Sequence, residues 1–281
     1  MQLSGFRLIA ALCAVLTFAG RSFAQEGPAE QNRVSRPWPH GEKGAVSLSY
    51  DDSVPVHHRV VAPLLEKHGL RGTFYLSIAN LESPEAWKGV ASRGHELGNH
   101  SLFHPCRRDP SPAYAWLPEH YDLGSYTPGR FRDELATANL FLELLDGGRP
   151  RTYGICTNLT IGRGPQEQPM DPILETLFVA GRGTLVEDPV DPSRPHFMRL
   201  GHRSGDGKTF EQIRAEILSA RERGAWIIYM FHGVGRGTHG LFIEEEEHRK
   251  MIEWLGTQKE TLWTAPVVDV ALHLGAPKPR K

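Results

Sequence analysis

Ala225-Trp226-Ile227-Ile228-Tyr229-Met230-Phe231 is an unbroken apolar run that ends at His232-Gly233. A strand with one wet face alternates polar and apolar residues. This run does not, so both of its faces must be covered, as in the middle of a parallel sheet. The flanks agree. Thr209 can cap a helix reaching Arg223, and Ile243–Leu255 has helical periodicity with Glu244 to Glu247 in its first turn, where the helix dipole favours acids. Upstream, Ala45–Tyr50 and Thr73–Leu76 read as strands and Val60–His68 as a helix closed by Gly69. Ser83-Pro84 reads as the N-cap and first residue of a helix reaching Arg93, and Glu96–Gly98 as a short strand. Phe131–Leu145 is an amphipathic helix stopped by Gly147-Gly148, and Thr152–Cys156 is a strand. Pro172–Ala180 follows as a helix, Gly183–Val186 and Phe197–Leu200 as strands, Thr264–Val268 as a last strand and Val270–Leu274 as a terminal helical turn. Alternating strands and helices predict a parallel α/β architecture.

The chain has 281 residues, 40% hydrophobic and 23% charged, with a net charge of −1. This is globular composition with no electrostatic pull toward nucleic acid. Residues 1–24 read as a signal peptide: Arg7, then apolar Leu8–Ala19, then Ser22-Phe23-Ala24 as a small-x-small cleavage site. The apolar run is short for a membrane span, and Leu12 before Cys13 argues against a lipoprotein. Removing Arg7 and Arg21 with no acid takes the charge from −1 to −3. The expectation is an exported protein, periplasmic or extracellular. Residues 25–42 read as a linker or loosely packed arm, 43–275 as the main domain and 276–281 as a tail. Residues 105–129 interrupt the rhythm with a proline- and aromatic-rich loop holding Tyr114, Trp116, Tyr121 and Tyr126; such loops are often functional. The mature chain keeps Cys106 and Cys156, which form a disulfide in an oxidising compartment or remain two buried thiols.

Three strand ends carry the chemistry. Asp51-Asp52 follows the first strand, and adjacent residues on extended chain point to opposite sides, so one Asp can bind a metal and the other handle a proton. The same pair also suits an Asx-turn or a helix cap. His100 and His104 lie about fifty residues later, on one face if their segment is a helical turn. One Asp and two His suffice for a divalent metal and leave a base over, which outlines a hydrolase. His232 stands where a general acid would be needed, or is a loop histidine. His57, His58, His95, His239, His248 and His273 read as structural or surface residues.

Tyr50-Asp51-Asp52, then Gly94-His95-Glu96-Leu97-Gly98-Asn99-His100-Ser101-Leu102-Phe103-His104, then Phe231-His232-Gly233 resemble, in that order, the polysaccharide deacetylases. These are the NodB-homology domains, or carbohydrate esterase family 4. The resemblance runs over about residues 43 to 275, and its second motif is the specific one. It implies a distorted (β/α) barrel of the NodB-homology, glycoside hydrolase-deacetylase type with fewer than eight complete units. It implies one transition metal, zinc first, on Asp52, His100 and His104, with Asp51 as base and His232 as the acid that protonates the leaving group.

The third motif departs from the family's Arg-x-Pro-Tyr. Either Tyr153-Gly154 takes the place of the family's Tyr-Gly, whose backbone N–H assists the oxyanion, or Cys156 does. The arginine that orients Asp51 is then sought elsewhere, and Arg199 is the candidate. Asp206 is either the fourth-motif aspartate or a plain loop residue. A Cys106–Cys156 bridge would brace the His104 loop; the alternative is a thiolate ligand. The implied activity is deacetylation of an acetylated polysaccharide or oligosaccharide at N or O, with Trp116 either a platform for sugar rings or loop packing. Hydrolysis of a non-sugar C–N amide is the alternative. A carbohydrate-binding protein that has lost catalysis is disfavoured, since Asp51, Asp52, His100, His104 and His232 are all present.

Overall fold

The computed structural model describes residues 38–108, 114–156, 158–186 and 188–279. The expected signal peptide, the arm up to Pro37, the loop tip at 109–113 and the last two residues lie outside them. Eight parallel strands organise the domain: β1 Gly44–Tyr50, β2 Thr73–Leu76, β3 Glu96–Asn99, β4 Tyr153–Gly154, β5 Gly181–Leu185, β6 Leu200–Ser204, β7 Trp226–Phe231 and β8 Leu262–Thr264. Strands β1 to β7 pair in sequence order, and β1 pairs with β7 from Ala45↔Trp226 to Tyr50↔Phe231, which closes a seven-stranded barrel. Strand β8 pairs with the lower part of β1 while β2 pairs with its upper end. The expected distorted (β/α) barrel is therefore present.

Helices α1 Ala62–Lys67, α2 Pro84–Ser92, α3 Pro128–Asp146, α4 Asp171–Leu177, α5 Phe210–Glu222, α6 Glu245–Thr257 and α7 Val267–His273 surround the strands. Their ends follow local chemistry. Thr127 accepts the Arg130 N–H at the start of α3, and Gly147 ends it in the left-handed region. Thr209 and Gln212 form a full capping box on α5. Among the described residues, no helix is long and apolar enough to cross a membrane.

Alternation along β1 separates two environments. Val46, Leu48 and Tyr50 join the outer core with Leu65, Trp87, Ile217 and Met251 of the helices. The intervening Ala45, Ser47, Ser49 and Asp51 take the opposite face, toward the barrel interior. There Ser47 Oγ donates to Ala265 O and accepts Trp226 Nε1–H, while Ser49 Oγ donates to Tyr229 O. Residues of α7 and Trp38 pack with Ala45 and Ile228. Trp38, expected in a loose arm, is buried beside Trp263 and His273.

Several expected elements shift. Phe197–Arg199 is a 3-10 turn and the strand begins only at Leu200. The last strand is Leu262–Thr264, and Val267 already starts α7, because Pro266 precedes it and fits a helix N-terminus. Only Tyr153–Gly154 of 152–156 is strand. Ser83 has φ 54° and caps nothing with its side chain. The segment from His100 to His104 is not a helical turn, since Ser101 (φ 68°) and His104 (φ 53°) are left-handed.

Tyr75 explains two of the barrel glycines. Its buried ring is fixed by a 2.7 Å hydrogen bond between its hydroxyl and Thr152 Oγ1. A Cβ at Gly98 would stand 2.4 Å from that ring, and one at Gly154 2.7 Å from it. We expect Gly98→Ala to cost roughly 1–3 kcal/mol by overpacking. Gly129→Ala, with nothing within 4 Å of the added Cβ, should be neutral or slightly stabilising. Thermal melting of the two variants beside the parent checks this.

Candidate active site and metal centre

The candidate residues meet at the C-terminal ends of the strands, the usual site face of a (β/α) barrel. Asp51 ends β1 deep in the interior and Asp52 turns out of it with φ 72°. Of five described non-glycine residues with positive φ, four are here: Asp52, Ser53, Ser101 and His104. Such backbone costs energy and persists only where the surroundings hold it. Ser53 Oγ donates to Ser77 O. The Ser101 N–H donates to Asn99 Oδ1 and the His104 N–H to Ser101 Oγ. Asn99 Nδ2 donates to Leu135 O and Asn139 Oδ1 on α3. Glu134 of α3 accepts from the Phe103 N–H and the Tyr126 hydroxyl. A loop clamped to α3, rather than a helical turn, brings His100 and His104 together.

Asp52 Oδ1 lies 3.4 Å from His100 Nε2 and 3.3 Å from His104 Nε2. An edge of a tetrahedron built on ~2.1 Å metal–ligand bonds is about 3.4 Å. His100 Nδ1 lies 2.6 Å from the Gly154 carbonyl, which only accepts, so Nδ1 carries the proton. A neutral His100 then points its Nε2 lone pair at a carboxylate oxygen that is buried without any hydrogen-bond partner. That arrangement calls for a cation, and the donor set fits a divalent transition ion. Two sulfurs stand behind it. Cys106 Sγ is 3.5 Å from His104 Nδ1 and Cys156 Sγ is 3.9 Å from His100 Nδ1. Ligand atoms of His100, His104 and Cys156 all lie within 4.8 Å of one another.

The titration behaviour says the same. Burial pushes the His100 imidazole down, but Cys156, Asp51 and Asp52 outweigh it and hold the pKa up at about 10. His104 also lies well above its usual value against burial, through Cys156, Cys106 and Asp52. Burial raises the Cys156 thiol, yet His100 and His104 bring it down to about 6. Asp52 falls below the usual carboxylate range against burial, through His100 and His104. The pocket is short of positive charge, which protons or a metal ion can supply.

Asp51 is held from the other side. Arg182, fully buried in β5, donates Nη1–H to Asp51 Oδ1 at 3.0 Å and Nη2–H to Oδ2 at 2.6 Å, and Nη1 also reaches Ser49 Oγ at 3.2 Å. Its guanidinium lies over the Tyr75 ring, 4.7 Å from the centroid. Burial raises the Asp51 carboxyl, but Arg182, helped by His100 and His232, takes it below the ordinary range. At the third strand end His232 Nδ1 lies 2.6 Å from Asp206 Oδ2, and the His232 N–H donates to Asp206 Oδ1. His57 Nε2 reaches the His232 carbonyl at 2.5 Å. Burial lowers the His232 pKa, but Asp206, Asp51 and Asp52 raise it above the usual imidazole value. Nε2 of His232 faces Asp52 Oδ2 at 3.9 Å. The aspartate on His232 is thus Asp206.

Three expectations are corrected. Arg199 sits at the N-terminal end of β6, outside the site, and donates to Asp171 Oδ2 at 2.7 Å; the arginine on Asp51 is Arg182. Arg182 escaped notice because the sequence left it in the connection between the Pro172–Ala180 helix and the Gly183–Val186 strand, whereas it is the second residue of β5. Tyr153 does not serve the oxyanion. Its N–H is committed to Ala180 O in the barrel ladder, and its buried ring stacks on Phe178. Cys106 and Cys156 are free thiols, each engaged with a histidine rather than with the other. His239, read as a structural or surface residue, also enters the site, with Nε2 3.6 Å from Asp52 Oδ2. Trp116 is 58% exposed with its ring 5.9 Å from that of His104, and nearby Phe103 stacks on Tyr121 at 4.6 Å.

The polysaccharide deacetylase family model matches residues 39–157, which include the first two motifs and end before His232. Among curated proteins, gellan lyase from Bacillus sp is 22% identical over 208 residues, which is 70% of this chain and 7% of that protein. The protein YlxY from Bacillus subtilis (strain 168) is 30% identical over 94 residues, 32% of this chain and 24% of its own length. The chain therefore spans less than a quarter of either curated relative. Among solved structures, Puue allantoinase has a TM-score of 0.58 at 14% identity, covering 87% of this chain and 94% of that one. The Bc1960 peptidoglycan N-acetylglucosamine deacetylase has a TM-score of 0.52 at 17% identity, covering 86% and 92%. The resemblance to polysaccharide deacetylases thus has two supports, the family model over 39–157 and the shared fold.

Removing one partner of a buried ion pair strands the other, so Arg182→Met should destabilise the protein by about 3–5 kcal/mol at pH 7. Asp51 has a depressed pKa in the folded protein, so its contribution is present above the unfolded carboxylate value and is lost as pH falls through the folded one. That contribution is intact from pH 7 down to the unfolded carboxylate value of about 4, so the gap between Arg182→Met and the parent should narrow only below about pH 4 in urea unfolding. Arg199→Met, at a partly exposed pair, should cost under about 1 kcal/mol.

Proposed function

We propose that this chain is an exported, metal-dependent hydrolase that removes acetyl groups from a polysaccharide or oligosaccharide. The observation that carries the reading is the convergence of Asp52 Oδ1, His100 Nε2 and His104 Nε2 beside an Arg-held Asp51 and an Asp-held His232. The family model over 39–157 supports it, as does a fold shared with a peptidoglycan deacetylase. Export rests on the signal-peptide reading of residues 1–24.

Asp52, His100 and His104 would hold the metal, zinc first given the His and carboxylate donors. When bound, the ion polarises the acyl carbonyl and acidifies water. The remaining steps belong to the chain. Arg182 keeps Asp51 ionised and fixed, so its carboxylate can take a proton from the attacking water. Asp206 anchors His232 Nδ1 and leaves Nε2 facing the cleft, from which it can give a proton to the departing nitrogen or oxygen. Its raised pKa keeps that proton available near neutral pH. Trp116, exposed beside His104, offers a face for a sugar ring.

A second reading, hydrolysis of a non-sugar amide, draws on the likeness to Puue allantoinase and on the altered third motif. Acetate release from acetylated glycans by chelated, zinc-loaded and cobalt-loaded protein separates the two. We expect chelation to abolish release and metal to restore it. Asp51→Asn should keep one equivalent of metal and lose roughly 100-fold or more in kcat. Metal binding without acetate release from any glycan would favour the amide reading, and failure to bind metal would overturn the Asp52-His100-His104 assignment.

A further inference from the structure

The chain beyond β7 folds back over the strand end. Gly233 makes this possible, since a Cβ there would stand 2.5 Å from Thr238 Oγ1 and 2.9 Å from His239 Cβ. The turn is closed by Gly233 N–H to Leu241 O, Gly235 N–H to Ile243 O, and Thr238 Oγ1–H to Gly235 O. His239 is thereby set parallel to His232, with ring centroids 5.0 Å apart and 8° between the planes. His239 Nε2 lies 3.6 Å and His232 Nε2 3.9 Å from the same atom, Asp52 Oδ2. Neither separation is a hydrogen bond. Both nitrogens face the space in front of Asp52 with bonding capacity left over.

The backbone also sets the tautomer. His239 Nδ1 is 3.1 Å from Leu241 N and 3.0 Å from Leu241 O. The carbonyl already accepts from Gly233, whereas the Leu241 N–H has no other acceptor among the described residues. Nδ1 therefore accepts from Leu241, and Nε2 carries the proton.

We propose that His239 is a second substrate-contacting histidine, whose Nε2–H donates to the acyl oxygen of the substrate and to the carboxylate released from it, alongside His232. The proposal rests on the hydrolase reading above. It places the product carboxylate at the Nε2 edges of the two stacked imidazoles.

The test is calorimetric titration of acetate into the zinc-loaded full chain and its His239→Ala and His239→Gln variants. Metal content, thermal melting and kcat/KM are measured beside it. We expect all three proteins to melt alike and to hold one equivalent of metal. The acetate Kd should weaken roughly tenfold in His239→Ala and recover most of the loss in His239→Gln, which keeps an N–H donor. The kcat/KM values should follow the same order. Unchanged acetate affinity in a folded His239→Ala would overturn the proposal. Loss of metal from that variant would also overturn it, by placing His239 behind Asp52 instead of on the substrate. Parent protein that holds zinc yet neither binds nor releases acetate would sink the deacetylase reading itself.

Discussion

The buried pair between Asp51 and Arg182 is the constraint around which the rest of the barrel is arranged. Two charges removed from water are costly unless geometry and further hydrogen bonds compensate them. Here both carboxylate oxygens receive a guanidinium N–H, Ser49 takes another, and the Tyr75 ring lies beneath the cation. The room for these groups comes from small residues. Ser47 and Ser49 line β1, and Gly98 and Gly154 yield to the Tyr75 ring. A bulge between Arg182 and Thr184 interrupts the β5–β6 register just beyond the arginine. The interior just below the site is thus polar and shaped to present one ionised carboxylate; an apolar cluster of Ala45, Trp226, Ile228 and α7 residues lies deeper, and the larger apolar core is on the outer faces of the strands.

Around that fixed point the strand ends supply strained backbone instead of regular structure. Left-handed φ at Asp52, Ser53, Ser101 and His104 costs about 1–3 kcal/mol each. The compensation is local, through Asn99, Ser101 and Glu134 tying the loop to α3. The strain turns Asp52 away from Asp51, so that neighbouring carboxylates face different partners. Asp51 meets an arginine, and Asp52 meets four imidazoles, two on each oxygen. The division of labour between the two aspartates is therefore a property of the backbone at residue 52.

The cysteines show how exported-protein logic and local chemistry diverge. An even pair suggests a bridge, but here each sulfur lies against an imidazole nitrogen. His100 and His104 draw the Cys156 thiol down, and its sulfur helps hold them up. The two thiols therefore stand behind the face that His100 and His104 offer to a cation, a position where carbonyls and carboxylates more often support histidines that hold a metal.

Much was legible in the sequence. The apolar run at 225–231 and the strand–helix alternation gave the parallel α/β architecture, because burial on both faces leaves a direct compositional trace, and the resemblance to the polysaccharide deacetylases implied the barrel. Asp51, Asp52, His100, His104 and His232 stood out because they follow strands, and strand ends are local features. The alternation could not reveal what depends on distance between segments far apart in the chain. Arg182 stands 131 residues from Asp51 and reads as an ordinary connecting residue until the barrel closes. Arg199 was misplaced because a 3-10 turn read as strand, which reversed the end of the barrel to which it belongs. His239 meets Asp52 only through a turn whose tightness depends on Gly233. By itself the sequence determined the fold and five of the residues that meet at the candidate site, Asp51, Asp52, His100, His104 and His232; tertiary structure alone decided which charge each of them faces, since electrostatic partnership depends on distance in space and not along the chain.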